Sequence, residues 1–322
     1  MPTAILLALA AAALYGASDF LGGLLSRRSH YALVGLVGQS AAAIIGLAAA
    51  LAVSVRPDLG VIEWGTGGAI GWGIGAGLGG AVGTLALYRG LSRGRMNVAG
   101  PLSAVGAAGL PIPVDLLSGG EFTSLTVVGV GLAIPGIWLV AAQPGRRGGG
   151  GAVEGLLAGL GFAALFVCLD RAGDTAGLWP VAASQLSAVA VLAVFVLAGR
   201  RGPARTAEVD RPAEAARATE VHRTAEAGRT VEGDRPAGVD RLDGMGRVPW
   251  AAVWPGVLGV CSTVLYALST REATLAVSAV ITSLYPAFTV ALAALVLRER
   301  TSLAHAAGLL LCAASVGAFA AG

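Results

Sequence analysis

Lysine is absent from this 322-residue chain, and charged residues of all kinds make up only 13% of it. Soluble domains average about 25% charged residues, so this scarcity excludes an ordinary water-soluble fold. Histidine and cysteine are scarce as well, with three of each. Cys168, Cys261 and Cys312 are far apart in apolar stretches, and His30, His222 and His305 are isolated from one another. No disulfide framework, metal-ligand spacing or nucleophile–base pair can be assembled from such neighbours, and no cofactor is implied. The cysteines are expected to be small buried hydrophobes. Without lysine there is no Gly-x-x-x-x-Gly-Lys phosphate loop, so nucleotide hydrolysis by that device is excluded as an energy source. The net charge of +3 is not gathered into a basic face, which leaves nucleic acid without a footprint to bind.

What is abundant is apolar. Hydrophobic residues reach 55%, glycine contributes 49 positions, and the mean hydropathy is +0.75. Apolar runs bounded by charge, Gly or Pro fall at 4–25, 31–54, 65–88, 96–117, 123–142, 152–169, 177–198, 250–270, 273–297 and 302–321. At roughly 20 apolar residues per crossing, these predict an all-α integral membrane protein with ten transmembrane helices. The opening segment has no basic n-region and no small-residue cleavage site, so it is expected to be a retained first span.

The ten runs form two groups of five, 4–142 and 152–321, joined by a Gly-rich hinge at 143–151. The groups repeat. Leu87-Tyr88 followed by Arg93 is matched by Leu265-Tyr266 followed by Arg271, and Glu121-Phe122-Thr123-Ser124-Leu125 by Glu299-Arg300-Thr301-Ser302-Leu303. Gln39 pairs with Gln185 at a smaller offset, as does Tyr15 with Phe162. The difference is absorbed by an insert at 199–248. Five spans per unit is an odd number, so successive units enter the bilayer in opposite senses, which predicts an inverted repeat.

The insert is a different material. Arginine recurs every six residues from Arg205 to Arg247, and Glu208, Glu214, Glu220, Glu226 and Glu232 keep the same period. Six residues advance a helix by about 240°, so these charges make no stripe. Pro203, Pro212 and Pro236 oppose a continuous helix, and a disordered polyampholyte loop is expected.

Polar residues inside the apolar runs are the candidates for chemistry. Asp19 lies within the first run, where a carboxylate costs roughly 2.5–3.5 kcal/mol on insertion scales. It has Tyr15 one turn away. It is read either as a cavity carboxylate for a cationic group or proton, or as a group solvated at the interface near Arg27. Gln39 and Gln185 are read as cavity amides or as interhelical hydrogen-bonding glue. Gly67, Gly71, Gly75, Gly79 and Gly83, every fourth residue of the third run, predict a close-packing ridge. Pro101, Pro111 and Pro286, with Tyr285 beside the last, mark kinks at which a gate could hinge, or simple packing bends. Tyr88 and Tyr266 are expected to be interfacial belt residues. Glu121 and Glu299 precede Thr-Ser pairs that can cap the fifth and tenth helices.

Several of these stretches resemble a known family. Ala12-Ala13-Leu14-Tyr15-Gly16-Ala17-Ser18-Asp19-Phe20, Ala86-Leu87-Tyr88-Arg89-Gly90-Leu91-Ser92-Arg93-Gly94 and Pro101-Leu102-Ser103 look like one EamA-type domain of the drug/metabolite transporter superfamily. Ser283-Leu284-Tyr285-Pro286-Ala287-Phe288-Thr289 and Leu297-Arg298-Glu299-Arg300-Thr301 look like a second. The resemblance implies a ten-helix carrier in the plasma membrane, with a central cavity lined by spans one to four and six to nine. It implies transport of amino acids, other small metabolites or drugs, often outward and without ATP. It also implies cytoplasmic termini, whereas the loops carrying Arg27, Arg28, Arg89, Arg93, Arg95, Arg146 and Arg147 would face the cytoplasm by the positive-inside rule. The orientation stays open, as does the oligomeric state.

Three functions compete. A secondary transporter would bind a small molecule at the midplane, coupled to a proton or another ion, with Tyr15, Asp19, Gln39, Gln185 and Tyr285 lining the site. A membrane-embedded enzyme needs a second titratable partner for Asp19, and only Asp115 and Asp170 could approach it after folding. A non-transporting scaffold or sensor does not explain polar residues at equivalent places in both halves.

Overall fold

The computed structural model describes residues 2–55, 67–93, 96–119, 123–141, 151–173, 176–201, 250–297 and 303–321. Regular structure among them is entirely helical. The first half contributes α1 (Pro2–Ser26), α2 (Tyr31–Ser54), α3 (Gly67–Ser92), α4 (Met96–Gly109), α5 (Pro111–Leu117) and α6 (Ser124–Ala141). The second contributes α7 (Ala152–Ala172), α8 (Trp179–Arg201), α9 (Val253–Ser269), α10 (Leu275–Thr282), α11 (Tyr285–Leu297) and α12 (Leu303–Ala321). A 3-10 turn, Trp250–Ala252, leads into α9. Six helical stretches are long and apolar enough to cross a bilayer, and shorter apolar ones cover 102–117, 124–139, 275–289 and 306–319. Most of the hinge at 143–151, most of the insert at 199–248, and Glu121 and Glu299 lie outside the described residues.

The apolar surface points outward as well as inward. Leu6, Ile44, Val194, Leu295 and Leu310 are all more than half exposed, a distribution a soluble protein could not tolerate. This is a multi-pass membrane protein, and lipid is the solvent of that surface. Cys261 belongs to it: its side chain is exposed on α9 rather than buried as expected, because hydrocarbon costs a thiol nothing that a protein core would save.

Within lipid the helices are joined by small residues and hydroxyls. On α1 and α9 the contacts recur every seven residues in antiparallel register. Ser269 donates to the Ala4 carbonyl at 3.0 Å, Ser262 to that of Ala11 at 2.6 Å, and Ser18 to that of Pro255 at 2.8 Å. Thr289 of α11 adds a bond to the Gly16 carbonyl at 3.0 Å. Gly75, Gly79 and Gly83 of α3 face Cys168, Gly161 and Phe162 of α7. Gly73 and Gly77, off that stripe, receive the backbone of Pro180 and Ser184 on α8, while Gly71 faces open space. The predicted ridge thus serves two neighbouring helices at once.

Two apolar runs that read as single spans are broken. Leu110 interrupts the fourth, where Pro111 opens α5 and has no N–H for the preceding turn. The chain runs helically through Pro101, so the break falls at one proline and not the other. The ninth run breaks at Ser283–Leu284, just before Tyr285 and Pro286. There Leu284 N–H turns back to the Ile281 carbonyl at 3.1 Å and Ala287 N–H to that of Leu284 at 2.9 Å. Proline at 286 removes the donor that would meet the Thr282 carbonyl four residues earlier.

Candidate functional site

A cavity of about 80 Å³ lies between α1, α2, α3, α7, α8 and α9, with Tyr285 at the head of α11 in its wall. A buried space needs roughly 10–15 Å³ of this measure to hold one water, so it has room for several. Tyr15, Asp19, Gln39, Gln185 and Tyr285 all line it. Residues separated by up to 270 positions in the chain therefore share one space. Gln39 comes from α2 and Gln185 from α8, which pack on each other with Gly46 against the Gln185 stem. Asp19 is half-buried on the cavity wall.

Three hydroxyls around the cavity are committed to backbone. Ser18 is held by Pro255, Thr263 donates to the Gly259 carbonyl at 2.8 Å, and Ser184 to that of Val181 at 2.8 Å. With its own proton spent, Thr263 Oγ1 accepts from the Tyr15 hydroxyl at 2.8 Å. Tyr285 pairs with Ser103 of α4 at 3.1 Å. Among the described residues no protein group hydrogen-bonds Asp19, Gln39 or Gln185. The described residues of the lining include one carboxylate and no Arg or His.

Tyr88 and Tyr266 correct the expectation of an interfacial belt. Tyr88 is 5% exposed and lines the cavity, its ring end beside Gly22 of α1. Tyr266 is fully buried and donates to the Phe166 carbonyl at 3.1 Å. Each meets the first helix of its own half, α1 or α7, which the pairing of these two tyrosines in the repeat could have signalled. Phe166 and Thr263 were not singled out by sequence reasoning, and Phe162 was named only as the repeat counterpart of Tyr15. Phe162 and Phe166 form one helical stripe, indistinguishable in sequence from a packing stripe.

The cavity is offset along the bundle. Val34, Tyr88 and Pro255 in its wall lie within about a turn of helix ends at the α1–α2 turn. Towards the α7–α8 turn it is closed by aromatics. Phe166 and Tyr266 sit with ring centroids 4.4 Å apart, and Tyr15 is 6.4 Å from Phe166. Beyond this stack the helix ends are tied together. Asp115 of α5 accepts from Ala276 N–H at the start of α10 at 3.0 Å, Arg271 donates to the Gly177 carbonyl at 2.9 Å, and Arg171 reaches Ser118. Asp170 and Asp115 approach each other here, outside the cavity, and neither lines the space with Asp19. The described residues contain no cluster of potential metal ligands.

Residues 238–320 match the profile of the EamA-like transporter family. No curated protein matches the chain. Among solved structures, one described only as "Crystal structure of protein" shares the fold over 99% of this chain and 96% of its own. Its TM-score is 0.61 and its sequence identity 14%.

Proposed function

We infer that this chain, a membrane protein carrying an EamA-like transporter segment at residues 238–320, is a secondary carrier built from two inverted five-helix units. Its cargo is a small metabolite, such as an amino acid or an amphiphilic drug, moved outward across the plasma membrane by alternating access. The packing supports the inverted layout. Exchanging the halves maps α1–α9 onto α7–α3, α3–α8 onto α9–α2, and α4–α7 onto the contact of α10 and α11 with α1. The pairs α2–α8 and α6–α12 map onto themselves, as helices beside a pseudo-two-fold axis must. Gln39 and Gln185, from helices equivalent under that exchange, both stand in the cavity wall.

One observation carries the functional reading: Asp19, Gln39 and Gln185 face a space with room for water and no protein partner. A scaffold gains nothing from unpaired polar groups within a bilayer, since each costs free energy unless something binds it. An enzyme would need a second titratable group beside Asp19, and the closest candidates by sequence are walled off behind Phe166 and Tyr266. A carrier needs a polar site of this kind, set nearer one end of the bundle and closed towards the other by aromatics. Closure at the α1–α2 end and parting of the aromatic stack at the α7–α8 end would complete the cycle. The broken ninth span at Tyr285–Pro286 supplies a joint within the cavity wall, and Pro111 a second outside it. Flux into proteoliposomes across amino acids, organic amines and cations, with and without a pH gradient, tests the assignment. Asp19→Asn is expected to abolish the flux the wild type supports; unchanged flux for every solute would refute the role given to that carboxylate.

A further inference from the structure

We propose that the cavity is a receptor for a small organic cation, with an ammonium group held against Asp19 inside a cage of Tyr15, Tyr88, Tyr285, Phe162 and Phe166. The proposal rests on the carrier reading for how the ligand enters and leaves, but the site can be tested without transport.

The argument is one of charge and of what is already paired. Among the described residues Asp19 is the single ionisable carboxylate of the lining, and no Arg or His side chain enters the wall to meet it. Nor do neighbouring hydroxyls neutralise it. Tyr15 gives its proton to Thr263, Ser18 gives its proton to Pro255, and Tyr285 is engaged with Ser103. Asp19 lies close enough to Tyr15, Tyr88 and Tyr285 for its charge to act on all three, so the carboxylate and the rings enclose a common volume. Aromatic faces attract cations, and repay most where water is displaced.

The rest of the wall narrows the class. An anion would find no positive group and a carboxylate in its way. A zwitterion would satisfy Asp19 with its ammonium but bring a second carboxylate to a wall whose free donors among the described residues are all neutral, the amides of Gln39 and Gln185 and the hydroxyls of Thr84 and Tyr88. A monocation with a short polar or aromatic tail leaves no charge unmatched, and the amides then hold the tail by its hydroxyl, carbonyl or amide. One carboxylate also suits one positive charge better than two.

The test is calorimetric binding to the purified full chain in detergent. The probes are choline and phenethylammonium, their neutral counterparts 3,3-dimethylbutan-1-ol and 2-phenylethanol, and the zwitterions glycine betaine and phenylalanine. At least one cation is expected to bind about tenfold or more tightly than both its neutral and its zwitterionic counterpart. Asp19→Asn should weaken that cation by roughly 10- to 100-fold, the range for losing a charge-assisted contact, while leaving its neutral counterpart unaffected. Tyr88→Leu should weaken it by roughly 2- to 30-fold and Tyr88→Phe much less, because the ring face does the binding. Cations that bind no better than their neutral counterparts, or equally well to Asp19→Asn, would overturn the proposal. If Asp19→Asn does not fold, the wild-type comparison of cation, neutral and zwitterion decides alone. Cation binding of this pattern without flux in liposomes would sink the carrier reading and keep the site. Flux of zwitterions or anions with no cation binding would do the reverse.

Discussion

Gly71→Ala and Gly77→Ala are the same chemical change six residues apart on α3, and the packing gives them opposite signs. A Cβ at Gly71 meets nothing within 4 Å, so alanine there only exchanges a poor helix former for the best one. The expected gain is about 1 kcal/mol. A Cβ at Gly77 would stand 2.7 Å from the Ser184 carbonyl carbon and closer still to its oxygen. Carbon atoms pack comfortably at 3.5 Å or more, so α8 must withdraw by at least about 0.8 Å. The Ser187 hydroxyl, equally close, can rotate away, but the Ser184 backbone cannot, and α8 is also held by α2. Overpacking of this kind costs about 1–3 kcal/mol, from which the propensity gain subtracts at most 1. The assay is thermal unfolding of purified protein in one detergent, followed by helical signal and by monodispersity. Gly71→Ala is expected to melt slightly higher than wild type and Gly77→Ala several degrees lower. Gly77→Ala should also impair ligand binding, since withdrawal of α8 carries Ser184 and Gln185 away from the cavity. Equal melting temperatures for the two variants would refute the interdigitation of α3 with α8.

Three further expectations concern the helix ends and breaks. Asp115→Ala removes the acceptor that caps α10 at Ala276 and should cost about 1 kcal/mol in the same melting assay, whereas Asp115→Asn, which keeps an oxygen at that place, should cost little. Pro286→Ala restores an N–H four residues beyond the Thr282 carbonyl. It is expected to leave the protein folded but slow its flux in proteoliposomes, and wild-type flux would exclude a hinge there. The pair Arg93–Glu154, at 3.2 Å with side chains 30% and 12% exposed, is largely buried, so Glu154→Gln, which takes the charge from one partner, is expected to lower the melting temperature.

The residues that define the fold class are those that cannot be hidden from the solvent. A chain with no lysine and ten long apolar runs has one place to go, and every one of those runs is helical within a few residues of the boundaries read from charge and proline. Backbone hydrogen bonding explains why such local signals suffice, since hydrocarbon forces each span to satisfy its own N–H and C=O groups. The partition of the glycines was not legible. Their spacing announced close approach, but only packing shows Gly75, Gly79 and Gly83 receiving α7 while Gly73 and Gly77 receive α8 and Gly71 receives nothing. Ser262 and Ser269 are a similar case: ordinary small residues in sequence, they become rungs between α9 and α1 because the two helices run antiparallel in register.

The site divides along the same line. A carboxylate or amide in an apolar run betrays itself by its cost, and so Asp19, Gln39 and Gln185 were visible in the chain. An aromatic residue in lipid costs nothing wherever it points. Tyr88 and Tyr266 could equally have been belt residues, and Phe162 and Phe166 packing residues, until tertiary contacts turned them inward. Composition and hydropathy determined that this protein lives in a membrane as helices, because solvation acts on each residue locally. Which rings surround Asp19, which hydroxyls are already spent, and which end of the bundle is sealed were decided by tertiary structure alone, because those depend on residues from seven helices meeting in one volume.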